Sequence, residues 1–446
     1  MIDLDISSEL ITIIMLGGVF VGVMTGYPLA IVIGALALII GYIVFGNAVA
    51  SVLYTRAYDI MRNYVVLAVP LFVFMGVMLE RSGITERLYD VLYLWLGGLR
   101  GGLAIVTVLI GTVMAACVGI IAASVTMLAL VALPSMVKRG YSKSLAAGSI
   151  CAGGTLGILI PPSIMLVLYG PSAQISVGKL FFGAFIPGFV LSVLYIAYIG
   201  FRSLIQPEVA PAVPLEERKM PLKRKFIMLL TALVPPTLLV MAVLGTIFTG
   251  IAPPTEAAGI GAFAATMLTL AYRRLNWRVL KEVTTETGRI CGFILLIGAM
   301  AFAFVGVFIR AGCGAVVEEL ILSTPGGRWG IFAIIMFFIF ILGFFIDWLG
   351  IVFIMVPIIT PISETLGFNQ LWFGIMVCVN LQMSFMTPPF AFAIFIIKGA
   401  APKELGLTMG DIIRGVIPFV ILIMVGLGLF VAFPELILWL PGKMIK

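Results

Sequence analysis

Histidine is absent from the 446 residues, and charged side chains make up only 11% of them. Without histidine there is no His-ligated zinc site, no Ser-His-Asp triad and no histidine proton relay. The charge fraction is less than half the roughly 25% of an average soluble domain. With 62% hydrophobic residues, the long uncharged stretches are expected to bury their side chains in lipid rather than in a water-surrounded core. The five cysteines (Cys117, Cys151, Cys291, Cys313 and Cys378) are scattered with no CxxC pair, so neither a disulfide frame nor a metal site is indicated. No GxxxxGK[ST] phosphate loop occurs, which points away from ATP as the energy source. The opening MIDLDISSEL is acidic where a cleavable signal peptide would be basic.

What remains is a series of apolar runs. Ten have the length of one membrane span: about 10–25, 28–46, 64–79, 144–169, 180–201, 226–250, 255–272, 290–309, 371–397 and 412–433. Two further blocks, Leu103 to Val137 and Trp329 to Ile362, hold about 35 residues each, against the ~20 that one helix needs to cross. Charge placement chooses between one tilted helix and a hairpin that enters and leaves on the same side. With the chain starting outside and both blocks folded as hairpins, Arg56, Arg62, Lys179, Arg310, Arg328, Lys443 and Lys446 fall outside. The other 20 of the 27 cationic residues fall in the cytoplasm. Treating either block as a full span spoils that asymmetry, so the positive-inside rule favours two re-entrant hairpins, the first entering from the cytoplasm and the second from outside. Both termini are then periplasmic. The net charge of +7 is accounted for by topology, without nucleic acid. The Pro-rich, charged segment 203–225 reads as a cytoplasmic linker whose basic cluster can rest on anionic headgroups.

The two halves share a register at an offset of 227. Pro134 aligns with Pro361, Gly140 with Gly367, Tyr141 with Phe368, and Pro161-Pro162 with Pro388-Pro389. The expected fold class is therefore an all-α polytopic membrane protein of two inverted-topology repeats, 1–202 and 226–446. Each holds five transmembrane helices plus a hairpin (about 103–137 and 329–362) and a broken helix (about 144–171 and 371–397). An odd number of spans per repeat turns the second repeat upside down, an arrangement characteristic of secondary transporters with midplane sites.

Irregular backbone at membrane depth is tolerated only where protein or a watery cavity surrounds it. Four such places stand out: the middle of the first block around Gly119, Ser124 and Thr126; Gly154, Thr155, Gly157, Pro161 and Ser163 in the fourth span; Asp347 and Gly350 in the second block; and Gln382, Ser384, Thr387 and Pro388 in the ninth span. A double proline removes two donors and frees carbonyls. Freed carbonyls and hydroxyls are hard oxygen ligands suited to Na⁺, while half-helix N-termini attract an anion. The Na⁺ candidates are Ser124, Thr155, Asp347 and Thr387. Asp347 is the one acidic residue in the second block, and charges there are usually functional. Thr255 and Glu256, after Pro253-Pro254, read either as a helix start or as part of the site.

At these motifs the chain resembles the large membrane (M) subunit of the tripartite ATP-independent periplasmic (TRAP) transporters, C4-dicarboxylate type in the broad sense. The matching stretches are Gly250-Ile251-Ala252-Pro253-Pro254-Thr255-Glu256-Ala257-Ala258, Gly154-Thr155-Leu156-Gly157-Ile158-Leu159-Ile160-Pro161-Pro162-Ser163, Ala123-Ser124-Val125-Thr126-Met127, Lys138-Arg139-Gly140-Tyr141 and Met386-Thr387-Pro388-Pro389-Phe390. The resemblance implies an elevator-type transporter of the bacterial inner membrane that imports organic acids with Na⁺ and has no enzymatic activity and no cofactor. It implies two partners, a small four-helix membrane subunit and a periplasmic substrate-binding protein. Some members carry a Ser-Gly-Ser-like first tip; Ile121-Ala122-Ala123-Ser124 stands here, so backbone carbonyls take more of that ion site. The nearest rival is a stand-alone sodium/dicarboxylate symporter of similar inverted-hairpin architecture. An ATP-driven permease has no use for two hairpins, and no catalytic constellation for an intramembrane enzyme can be assembled.

Overall fold

The computed structural model describes residues 7–119, 121–388 and 391–444, all but the side chains of Val118 and Leu215 within them. The first six residues of the MIDLDISSEL opening, and Pro389, Phe390 and Lys446, lie outside the described residues. All regular structure among the described residues is helical. Among the described residues, seven helices are long and apolar enough to cross a membrane, including Val177–Ile205, Leu222–Phe248, Trp277–Arg310 and Met409–Ala432, and others such as Ser8–Met24 and Leu29–Phe45 are apolar but shorter. Large apolar side chains point outward along them, Ile13, Phe263 and Leu238 among them, as expected where lipid is the solvent.

The run 290–309 is the end of a single 34-residue helix, Trp277–Arg310. Helices Ala48–Arg62, Ile84–Leu96 and Cys313–Leu322 were not anticipated, because each carries charges that break the apolar pattern. The linker is shorter than 203–225: its flanking helices reach Ile205 and start again at Leu222. It is also not a free loop. Val209 O accepts from Ser142 N at 2.9 Å, Ala210 O from Gly101 N at 3.0 Å, and Val213 N donates to Gly97 O at 2.8 Å. The linker backbone thus stitches together the two ends of the first long block.

Both long blocks fold back on themselves. The first is two helices, Gly102–Val118 and Ile121–Lys138, whose outer ends meet where Tyr141 Oη accepts from Leu103 N at 3.2 Å. Gly119 at the break has φ +63°, a conformation that favours glycine. The second is Gly327–Leu342 followed by a helical run from Trp348 to Thr365 with a π-helical stretch at Ile351–Met355. Its ends meet where Arg328 lies 4.5 Å over the Phe368 ring and Trp329 packs edge-on against Phe368.

Polar contacts sort the connecting segments into two ends. One end holds Arg81–Glu282, Arg139–Glu217 and Lys143 Nζ to Gly406 O. The other holds Ser8 Oγ to Ala311 O, Arg310 over Phe45, and Thr365 Oγ1 to Glu318 Oε1. The Trp277–Arg310 helix joins them, spanning roughly 50 Å at 1.5 Å per residue. The first block has its ends at the former, the second at the latter.

Helices before residue 97 pack chiefly with those between 222 and 322, while the first folded-back block packs with Lys143–Thr155 after it, and the second packs with Gln370–Ser384, Ile164–Ala173 and Trp277–Arg310. Small residues permit the closest crossings. A Cβ on Gly415 would lie 2.0 Å from Ser144 O, so the Lys143–Thr155 helix touches Met409–Ala432 backbone to backbone.

Candidate functional site

The segment after the first block is helix Lys143–Thr155, a 3₁₀ turn Leu156–Ile158, a cis Pro161-Pro162 bond and helix Ile164–Ala173. Its partner in the second half is helix Gln370–Ser384 and then Phe392–Ala400. The starts Lys143 and Gln370, and Ile121 and Trp348, are each 227 apart, as are the ends Lys138 and Thr365.

The break of the first block sits on the broken segment beside it. A Cβ on Gly119 would lie 3.1 Å from Pro162 O and 3.6 Å from Ser163 Cα, and one on Gly154 would meet Val125 at 2.4 Å. Ser124 is buried, and its hydroxyl has no hydrogen-bond partner. Buried unsatisfied hydroxyls are costly enough to need an explanation. In the second half, Gly343 lets Ser384 approach: a Cβ there would lie 2.4 Å from Ser384 Cβ. Ser384 Oγ donates to carbonyls of Phe340 and Asn380, both at 3.3 Å.

Thr155 and Gln382, also 227 apart, touch each other: Gln382 Nε2 donates to Thr155 Oγ1 at 3.4 Å and to Tyr195 Oη at 3.3 Å. Thr155 Oγ1 in turn donates to Ala152 O at 3.1 Å. Gln382 is fully buried, and its Oε1 has no partner. Tyr195 was missed in the sequence. The 227 register, which pairs Thr155 with Gln382, was the signal that could have led to this cluster.

A cavity of about 420 Å³ lies between the two breaks. Gly119 and Ile121 reach it from the first block, Gly343, Asp347 and Trp348 from the second, Ile158 and Ile164 from the first broken segment, Phe385 and Phe392 from the second. Ile290, Phe293 and Ile294 of the long Trp277–Arg310 helix close the far side. Four helices begin at its wall: Ile121, Ile164, Trp348 and Phe392 are all first residues. Each start carries up to about +0.5 of an elementary charge, so the cavity favours an anion. Asp347, half-buried, is the N-cap residue of the Trp348 start.

Other anticipated residues have different places. Gly157, Pro161 and Ser163 are buried, with Ser163 Oγ donating to Ile158 O at 2.5 Å. Thr387 donates to Met383 O at 2.9 Å; Thr387 and Pro388 are half-buried, and Thr126 is half-buried too. Gly350 is not at this cavity. It packs on Leu29 and lines a separate apolar cavity of about 480 Å³ beside helix Ser8–Met24. Glu256 is exposed in the first turn of Pro254–Ala271, and Thr255 is buried in that turn with an unpartnered hydroxyl; neither lines the cavity.

The family described as "Tripartite ATP-independent periplasmic transporter, DctM component" matches residues 16–436. The chain belongs to this family. It is a large membrane subunit of a TRAP transporter, C4-dicarboxylate type in the broad sense, and not an enzyme. The C4-dicarboxylate TRAP transporter large permease protein DctM of Pseudomonas aeruginosa is 30% identical over 389 residues, 87% of this chain and 88% of that one. The isethionate TRAP transporter permease protein DctMQ of Oleidesulfovibrio alaskensis is 30% identical over 383 residues, but these cover only 59% of that longer protein. Among solved structures, the YdaH transporter of Alcanivorax borkumensis has a similar fold, with a TM-score of 0.57 at 14% identity over 88% of this chain and 89% of that one. TRAP membership makes the chain a multi-pass membrane protein that serves solute uptake, and it implies a substrate-binding protein and a small membrane subunit.

Proposed function

We propose that this TRAP subunit imports a small organic acid, as its carboxylate, across the bacterial inner membrane with Na⁺ as the coupling ion. The observation that carries the anion is the meeting of four helix starts at one cavity. A carboxylate there is held by fixed dipoles that need no reorganisation. The sodium reading rests on the unpartnered Ser124 hydroxyl at the first break and on the nearby Pro161-Pro162 pair, which has no N–H to offer the preceding carbonyls. Thr155, Asp347 and Thr387 remain the other candidate oxygens, and Na⁺ at the two sites where a tip meets a broken helix neutralises the tips and orders them around the anion.

The repeats 1–202 and 226–446 are read as inverted. In support, equivalent blocks have their bases at opposite ends of the molecule while their breaks share one cavity. The end that gathers Arg81, Arg139 and Lys143 is the cytoplasmic one by the positive-inside rule, which leaves both termini periplasmic. The cavity lies between the folded-back blocks and the long helix of the other bundle, as an elevator carrying its site past a scaffold requires. The partners are a periplasmic binding protein that delivers the acid to the outer face and a separate small four-helix subunit. The extra length of the DctMQ relative is what a fused small subunit would occupy. This partner set also separates the reading from a stand-alone symporter.

The test is uptake of organic acids in proteoliposomes holding the large subunit, the small subunit and the binding protein. A Na⁺ gradient is expected to drive accumulation. Accumulation that is unchanged when the gradient is removed defeats the coupling.

A further inference from the structure

We infer that the acid carried is a monocarboxylate with a branched or aromatic apolar body, not a dicarboxylate or a polyhydroxylated sugar acid. This rests on the proposed anion site and names what fills the rest of it. Among the described lining residues there is no Lys, Arg, Asn, Gln, Ser or Thr. The positive field comes only from the helix starts, all on the side of the breaks. The lining supplied by the long helix, Ile290, Phe293 and Ile294, is wholly apolar, and Ile346 and Phe385 add to it.

The charge arithmetic then selects one carboxylate. Asp347 already places a negative group at the Trp348 start. A second substrate carboxylate would have to sit near Asp347 or against the isoleucines and phenylalanines. A charge in the latter position loses its water without a partner, which is costly. A sugar acid meets the same wall with several hydroxyls, each desolvated with no acceptor or donor opposite. A branched or phenyl body instead gains by burial there. At about 420 Å³ the cavity falls within the range of about 300–1,000 Å³ typical of small-molecule pockets, so such a body is accommodated.

The experiment is direct binding to the purified full-length chain, together with its small subunit, in sodium buffer, by titration calorimetry. Omitting the binding protein keeps its own selectivity out of the result. The probes are phenylacetate, 4-methyl-2-oxopentanoate, succinate and N-acetylneuraminate. One or both of the first two are expected to bind at least about tenfold more tightly than either of the last two, a gap of ~1.4 kcal/mol. Phe293→Arg, which puts a cation on the apolar wall, is expected to shrink the gap for succinate, and Ile294→Lys provides a second such variant. Succinate or N-acetylneuraminate binding as tightly as the apolar acids in the unmodified chain overturns this inference and leaves the organic-anion function standing. A folded chain that binds none of the four overturns that function as well.

Discussion

The two halves build one crossing with different chemistry. In the first half the crossing is glycine on glycine: a Cβ on Gly111 would lie 2.6 Å from the carbonyl carbon of Gly153. In the second half the counterpart of Gly153, 227 residues on, is Asn380, whose Nδ2 donates to Met336 O at 2.6 Å. Gly157 likewise becomes Ser384, bonded to Phe340 O. The first half reaches its geometry by removing side chains so that backbones touch; the second keeps side chains and ties them across the gap. Lipid offers no hydrophobic drive between helices, so close packing and interhelical hydrogen bonds are the two available solutions. The bases differ as well. The first hairpin is held by Arg139, which donates to Glu217 at 2.6 Å and to Tyr93 at 2.8 Å. The second is held by Arg328 stacked on Trp329 and Phe368.

The largest effect is expected from filling the glycine crossing. Gly111→Val drives a side chain into Gly153 backbone that cannot rotate away, so the cost should exceed the ~1–3 kcal/mol usual for overpacking. Size-exclusion chromatography of the purified chain should show little or no monodisperse material, whereas Phe338→Val, the exposed equivalent 227 residues on, should leave it folded. Asn380→Leu comes next. It leaves the Met336 carbonyl without its partner and should cost ~1–2 kcal/mol, read as a lower melting temperature in detergent.

The serines sharpen the comparison further. Ser384→Ala loses two long hydrogen bonds and should lower stability by up to ~1 kcal/mol with the Na⁺ affinity unchanged. Ser124→Ala removes a hydroxyl that has no partner, so stability without Na⁺ should hold or rise while thermal protection by Na⁺ weakens. Equal Na⁺ protection in wild type and Ser124→Ala removes Ser124 from the ion site.

The smallest effect belongs to the bases and depends on pH. The hydrogen bond from Arg139 holds the Glu217 carboxyl below its ordinary 4.5. A carboxylate lowered in the folded state stabilises fully above the unfolded value, and that contribution fades as pH falls through the folded one. The slight melting difference between wild type and Glu217→Gln should therefore be present at neutral pH and vanish well below pH 4.5. Phe368→Leu, at the other base, should destabilise by the same amount at both pH values, because a guanidinium over a ring does not titrate there.

Much of the fold was legible in advance because lipid imposes simple rules. The long blocks betrayed themselves by length, and both fold back on themselves. The offset of 227 read from the prolines and glycines recurs in the helix starts, Ile121 with Trp348 and Lys143 with Gln370. The sites were legible only in part. Ser124, Asp347 and the Gly154–Ser163 segment lie at or beside the breaks, since glycine and proline announce irregular backbone. Gly350 and Glu256 fall elsewhere, because a small or acidic residue at a helix start serves packing and dipoles equally well. Helices Ile84–Leu96 and Cys313–Leu322 escaped notice because their charged faces mimic loops.

Composition and charge placement were enough to make this a multi-pass membrane chain, because the cost of placing charge and unpaired backbone in lipid is paid locally, residue by residue. Which surfaces face one another is not local. Ile290, Phe293 and Ile294 look like any lipid-facing turn in the sequence, and they became part of the cavity wall only once the long helix packed against the second break. The pairing of Gln382 with Thr155 and Tyr195, and the meeting of four helix starts, likewise depend on contacts between segments far apart in the chain, with residues 121 and 392 lining one cavity. Packing sets those contacts, and no periodicity within one segment encodes them.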